Sequence, residues 1–307
     1  MKFATGNLQK IVLCLLLTSS FSVVHPVLAE PAAAAPEQTR DFRQDAIDKA
    51  KQAAKEKHTK YSTEALDAIK AVEQSIALLD EGKKEEALKK LQEADGKLEA
   101  AITADPELKL IPVAASVISF DLLTTPKSVK NELDTVNDEL QAGNTQEARV
   151  RLGQLRSEIV SSYIYLPAET YPDAIKRATG EITGDKPDLA RDTLVTAMGT
   201  LVEETIVTPL PVVLAQAAIL EAEEVQETDK DAALRALAYA SGQLEAADLL
   251  GYFYGDKDDY TAATKHIDAL QSAITGRSKI EELFDKAKNS TKMLLNKVEG
   301  KATETSQ

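Results

Sequence analysis

Apolar residues recur along this chain at offsets of four, three and four. Ala87, Leu91, Ala94 and Leu98 form one such set, and Ala148, Leu152, Leu155 and Ile159 form a second. Ala190, Leu194, Ala197 and Leu201 follow, then Ala233, Leu237, Ala240 and Leu244. This spacing marks one face of an α-helix. Eight residues before each first alanine stands another aliphatic side chain: Leu79, Leu140, Ile182 or Val225. Further apolar stripes lie upstream, such as Val129, Leu133, Val136 and Tyr171, Ile175, Ala178. Between the two stripes of each copy lies a short polar turn. Gly82, Gly143 and Gly184 suit a left-handed residue just past a helix end, and Pro187 suits the first turn of the next helix. Each copy therefore predicts an αα-hairpin, with alanine where the second helix comes closest to the first.

The first and fourth copies agree at the level of residues. "KKEEALKKLQEADGKLEAA" (83–101) and "DKDAALRALAYASGQLEAA" (229–247) share ten of nineteen positions without a gap. The first alanines are 61, 42 and 43 residues apart, a period that predicts stacked helical pairs with an insert of roughly twenty residues after the first. The connectors "LIPVAASVISFDLLTTP", "SSYIYLPAETYP" and "ETIVTPLPVV" are rich in β-branched and aromatic residues, and each carries proline at or near its end. Such segments prefer extended backbone, and their prolines open the next helices. Asp258–Ile274 and Arg277–Val298 read as two more helices. The fold class expected is predominantly all-α, repeated antiparallel hairpins joined by extended, proline-containing connectors with a few short strands.

The N-terminus reads differently. Lys2 and Lys10 flank a polar start, an apolar run covers Ile11–Leu17, and Val27-Leu28-Ala29 offers a cleavage site. This is the pattern of a secretory signal peptide. The organisation expected is a signal peptide over 1–29, a leader and N-terminal helix over 30–60, a hairpin-repeat domain over 61–276, and a C-terminal helix and tail over 277–307. The apolar run is short and interrupted for a membrane anchor, so no stable span is expected after cleavage. Cys14, the one cysteine, leaves with the signal peptide, and the mature chain needs no disulfide chemistry.

Charge narrows the partners. The chain carries 36 basic and 50 acidic side chains, a formal net charge of −14. Residues 61–276 hold 20 basic and 39 acidic ones, whereas the flanks 30–60 and 277–307 are slightly positive. An acidic body is a poor match for nucleic acid, and none is expected as a partner.

Catalytic patterns are sparse. Two histidines, His58 and His266, follow the signal segment, without the cysteine or histidine cluster that zinc requires. Neither a glycine-rich phosphate loop nor a G-x-S-x-G elbow occurs. "GDKDDY" (255–260) offers Asp256, Asp258 and Asp259 as oxygen ligands but lacks the spacing and closing glutamate of a calcium loop, and reads as a helix-capping turn. No catalytic residue, metal or cofactor is assigned. Tyrosine is the notable residue: Tyr163, Tyr165 and Tyr171 form one stretch, and Tyr252, Phe253, Tyr254 and Tyr260 another. Tyrosine joins apolar area to a polar tip and is favoured where surfaces meet. Tyr163, Tyr165, Tyr171, Tyr252, Phe253 and Tyr254 are the candidate partner-binding residues; packing within the monomer is the competing reading.

The blocks "LIPVAASVISFDLLTTPKSVKNEL", "AGNTQEARVRL" with "SSYIYLPAETYPDAI", and "TLVEETIVTPLPVVLAQAAILEAEE" resemble the YfdX family of bacterial envelope proteins, over roughly residues 60–275. The resemblance implies a mostly helical, secreted, periplasmic protein associated with stress and with chaperone-like behaviour. It brings no catalytic residue with it. The expected function is a non-enzymatic periplasmic binding or chaperone-like protein, with unfolded or partner proteins as clients and self-association open. One alternative is a tetratricopeptide-like adaptor. Gly82 before Ala87 and Gly143 before Ala148 follow that pattern, but the period is longer than the ~34 residues it needs. An enzyme of unknown activity is the other alternative.

Overall fold

A computed structural model describes residues 23–24, 42–57, 62–104, 109–122, 125–276 and 280–304. The signal-peptide and leader readings fall almost wholly outside these, as does His58. Eleven helices and a small sheet make up the described chain, so the fold is predominantly all-α.

The helices are α1 (Phe42–Lys57), α2 (Ser62–Asp80), α3 (Lys84–Ala104), α4 (Pro126–Gln141), α5 (Thr145–Gln154), α6 (Thr170–Thr183), α7 (Pro187–Met198), α8 (Leu210–Val225), α9 (Lys230–Leu249), α10 (Lys257–Thr275) and α11 (Glu281–Glu304). From α2 onward they form five hairpins. Gly82 (φ 75°) and Gly143 (φ 81°) take the left-handed conformation at the first two turns, where a side chain would be strained. The third turn departs from expectation. Gly184 is at φ −81°, and Asp185 carries the positive φ of 57° instead. Aspartate tolerates that region better than most residues. Pro126 and Pro187 start α4 and α7. Thr125 and Ser128 cap α4 reciprocally, and Asp229 accepts from the Ala232 amide at 2.8 Å to start α9.

The connectors are strands. β1 is a two-residue bridge (Val23–Val24), and β2 (Leu110–Phe120), β3 (Glu158–Pro167) and β4 (Val202–Pro209) follow. Their order in the sheet is β1-β2-β3-β4, so β4 is an edge. Val23 and Val24 pair in parallel with Ser119 and Phe120. The amide of Ala168 donates to Lys109 O at 2.9 Å, while the Arg156 guanidinium lies 3.7 Å from the Phe120 ring centre. Those contacts run β3 antiparallel to β2. Ser162 meets Thr205 at 3.4 Å, and Leu210 N donates to Ser157 O at 3.0 Å, which runs β4 antiparallel to β3. The twenty-residue insert expected after the first copy is used in lengthening: α3 has 21 residues against 10 in α5, and β2 has 11.

The chain forms two compact units. The first takes Lys51–Val117 and Ser162–Thr205; the second takes Ile118–Ser161 and Ile206–Gln307, with Ser22–Ala50. In the first, α2/α3 packs on α6/α7, with α2 against α7 and α3 against α6. Ala87, Leu91, Ala94 and Leu98 of α3 are sealed from solvent together with Ala190 and Leu194 of α7 and Tyr171 and Ile175 of α6. Ile111, Val113 and Leu166 bring the sheet into the same core. Each leucine so buried is worth about 1.5–3 kcal/mol. In the second unit α8/α9 packs on α10/α11, through α9 with α10 and α8 with α11. Ala233, Leu237, Ala240 and Leu244 fill that core with Phe253, Ile267 and Phe284. α11 belongs to this core along much of its length, through Ala287, Leu294 and Val298. Hairpin α4/α5 meets α9 through α4.

The order of packing differs from a stack of neighbours. The first hairpin pairs with the third rather than with the second, because each strand returns the chain to the other unit before the next hairpin forms. The second copy also breaks the repeat. Only Ala148 of its helix α5 is buried, Leu155 and Ile159 lie beyond the helix end, and Leu140 and Leu152 are exposed. Leu201 likewise falls past the end of α7.

Candidate functional site

Alternation along the strands fixes what each sheet face shows. In the first unit Ile111, Val113 and Leu166 point into the helical core. Residues of opposite parity, Leu110 on β2 with Tyr163 and Tyr165 on β3, therefore lie on the other face. Tyr165 donates to Glu204 Oε2 at 2.7 Å, which places Glu204, and with it Val202, on that same face of β4. The rings of Tyr163 and Tyr165 are 6.4 Å apart. Tyr163 is buried, Tyr165 is half-buried, and Leu110 and Val202 are exposed at the flanks. Burial first, and then the bond to Glu204, pushes the Tyr165 phenol well above the usual tyrosine range, so it stays a protonated donor. The result is an apolar strip ending at the edge strand, with one carboxylate held by one phenol.

The other candidate residues are placed differently. Tyr171 is sealed in the first core, its hydroxyl 3.1 Å from Met198 Sδ. Phe253 is sealed in the second core and stacks on Tyr260 with ring centres 5.4 Å apart. Tyr254 is 88% exposed. Tyr252 is half-buried, and its hydroxyl lies 2.9 Å from Glu158 Oε2 and 3.1 Å from Ser157 O while accepting from Ser157 N at 3.2 Å. Glu158 is held at its other oxygen by Arg156 at 2.7 Å. The six residues thus divide between the two units: Tyr163, Tyr165 and Tyr171 in the first, Tyr252, Phe253 and Tyr254 in the second.

The segment from Thr205 to Val213 has two characters. Thr205, Ile206, Val207 and Thr208 are half-buried along β4, whereas Pro209 to Val212 are buried where α8 begins. "GDKDDY" forms the turn before α10 and its first residues. Asp256 lies 3.9 Å from Lys297, Asp259 pairs with the same lysine, and Lys257 pairs with Asp248. Among the described residues no three metal-ligating side chains gather into one site. His266 Nδ1 lies 3.2 Å from Ser290 Oγ, in the packing between α10 and α11. A cleft of about 450 Å³ lies between α6 and α7, lined by four threonines together with Asp173, Arg177 and Asp192 among others.

Two features escaped the sequence pattern. One is the Arg156–Glu158–Tyr252 cluster, whose members are 94 or more residues apart across the Tyr252 contacts. The other is Glu73, on α2, whose Oε1 is buried with no hydrogen-bond donor among the described residues. Burial raises its pKa, against a smaller opposing effect of Lys70.

The family model described as "YfdX protein" matches residues 68–207. Those residues, a little under half of the chain, are what is similar to the YfdX family. The YfdX segment opens within α2 and ends on β4, so it takes in the first three hairpins and the strands that join them. It stops short of Thr208-Pro209-Leu210-Pro211 and of the last four helices. Among solved structures three chains match. One is YfdX from Salmonella Typhi. It has 14% identity and a TM-score of 0.35, and the match covers 50% of this chain and 95% of that one. A likeness at that level carries no argument about this fold. No curated protein matches the chain. Among the described residues no helix is long and apolar enough to cross a membrane.

Proposed function

We propose that this YfdX-related chain is a secreted periplasmic protein without enzymatic activity that holds extended, apolar polypeptide segments in the manner of a chaperone. The observation that carries the reading is the edge strand β4, which carries the exposed Val202 and meets Tyr165 of β3 through Glu204, with the exposed Leu110 of β2 on the same sheet face. An edge strand presents backbone donors and acceptors to a second extended chain, and alternate side chains beside it select what is bound. Glu203 and Glu204, on opposite faces of the strand, would disfavour acidic clients and discourage self-pairing at this edge. The signal-peptide pattern supports export, and a cleaved chain would begin at Glu30.

The test uses the chain recovered from a periplasmic extract, its N-terminus sequenced. An aggregating reporter protein is followed by light scattering with and without it. The wild type should slow aggregation, and Tyr165→Ser should slow it much less while keeping the same circular dichroism. A wild type that leaves aggregation unchanged overturns the reading, and so does a Tyr165→Ser variant as protective as the wild type.

A further inference from the structure

Five hairpins stand among the described residues, and four of them pair two by two. α2/α3 is taken by α6/α7, and α8/α9 by α10/α11. Hairpin α4/α5 is the odd one. α4 meets α9 on one side, where Val129 packs with Leu155 and Leu122, and α5 packs closely on no helix but α4 among the described residues. The consequence shows at the repeat positions. Leu79 and Ile182 are buried where the first helices of their hairpins end, and Leu91, Leu194 and Leu237 are fully buried on the second helices. Their counterparts in α4/α5 are Leu140, 47% exposed, and Leu152, 46% exposed. The sequence keeps the apolar residues of a hairpin-pairing face, and nothing in the described chain covers them.

We propose that this face of α4/α5, centred on Leu140 and Leu152, docks on the same face of a second copy of the chain. Two observations choose that occupant. Within each unit, the group that covers such a face is another hairpin of the same pattern, and among the described residues every other hairpin is already engaged. A second molecule supplies the next hairpin of the same pattern. Charge permits the match: residues 126–154 carry four basic and five acidic side chains, near balance in a chain of net −14, so two copies of this hairpin do not repel as the rest of the body would. A two-fold arrangement makes one self-complementary patch sufficient. The inference goes beyond client holding and stands or falls separately from it, since β4 is not involved.

The test is sedimentation velocity of the mature chain over a wide concentration range. The wild type should be a dimer that dissociates on dilution. Leu152→Glu, and separately Leu140→Glu, should weaken it by about ten- to a hundredfold with circular dichroism unchanged. Val150→Glu, on the opposite side of α5 by the 100° turn per residue, should leave it intact. The mature chain lacks cysteine, so Leu152→Cys should give a disulfide-linked dimer on mild oxidation, a readout that does not depend on tolerance of a charge. A chain monomeric throughout overturns the proposal. So does hydrogen exchange that finds α5 protected in the monomer, which would mean that the chain's own leader covers it. A dimer indifferent to both glutamate variants overturns it as well.

Discussion

Replacing Tyr252 by phenylalanine isolates one oxygen atom. The ring stays, and with it the apolar contacts that seat it on the second core. What disappears is the hydroxyl that accepts from Ser157 N and lies beside Glu158 Oε2 and Ser157 O. Ser157 and Glu158 are both buried where β3 begins. A hydrogen bond to a carboxylate is worth about 1.5–3 kcal/mol, and a buried amide left without a partner costs about 1–3 kcal/mol. The two losses share one site and do not add fully, since Arg156 still holds the other oxygen of Glu158. The expected destabilisation is therefore about 2–4 kcal/mol. Burial, followed by the charge of Glu158, raises the Tyr252 pKa, so the phenol remains a donor at any pH near neutral. Urea unfolding of wild type and Tyr252→Phe, followed by far-ultraviolet circular dichroism, measures the difference. Hydrogen exchange on residues 157–160 locates it. A variant within about 0.5 kcal/mol of the wild type would show that water replaces the hydroxyl at no cost, and the cluster would lose its structural role.

Glu73 gives a prediction of opposite sign. Its folded pKa is raised by burial, so the folded chain binds that proton more tightly than the unfolded one, and stability falls as pH rises from the ordinary carboxylate range through the folded value. Glu73→Gln should therefore unfold at higher temperature at pH 7, by an amount on the order of 1 kcal/mol, and should flatten the decline; a lower melting temperature at pH 7 would refute this. For the hairpin register, Ala190 is fully buried and Gln146 is exposed. Ala190→Leu should cost about 1–3 kcal/mol and Gln146→Leu close to nothing by thermal unfolding; equal effects would refute the register.

Much of the architecture is legible in the sequence because helix spacing is a local signal. The four-three-four stripes locate α3, α7 and α9, whose repeat residues within the helices are buried as expected. Local turn chemistry foretells Gly82, Gly143 and Pro187. The extended connectors are also visible, since β-branched residues and proline state a backbone preference. Pairing is not legible. Which hairpin meets which depends on where each strand delivers the chain, and the stripes of all copies are alike. Gly184 misleads because Asp185 takes the left-handed position itself. The tyrosines divide for a similar reason: composition says that Tyr171 and Tyr165 are amphipathic, but only the fold seals one beneath Met198 and sets the other beside Glu204. The Ser157–Glu158–Tyr252 contact joins residues about a hundred positions apart, and no period announces it.

The alternation of hairpins has a cost in time. The Lys84–Asp185 and Asp80–Arg191 ion pairs join the turns of the first and third hairpins across 101 and 111 residues of chain. A chain made from its N-terminus therefore completes α2 and α3 long before α6 and α7 exist to cover them. Meanwhile the whole second hairpin and two strands must pass by. Contacts between such distant segments form slowly, because the loop must close before any burial rewards it. During that interval the alanine and leucine face of α3 is open to any passing chain, its own copies included. A molecule built in this order is, while it folds, a client of the kind it is proposed to hold.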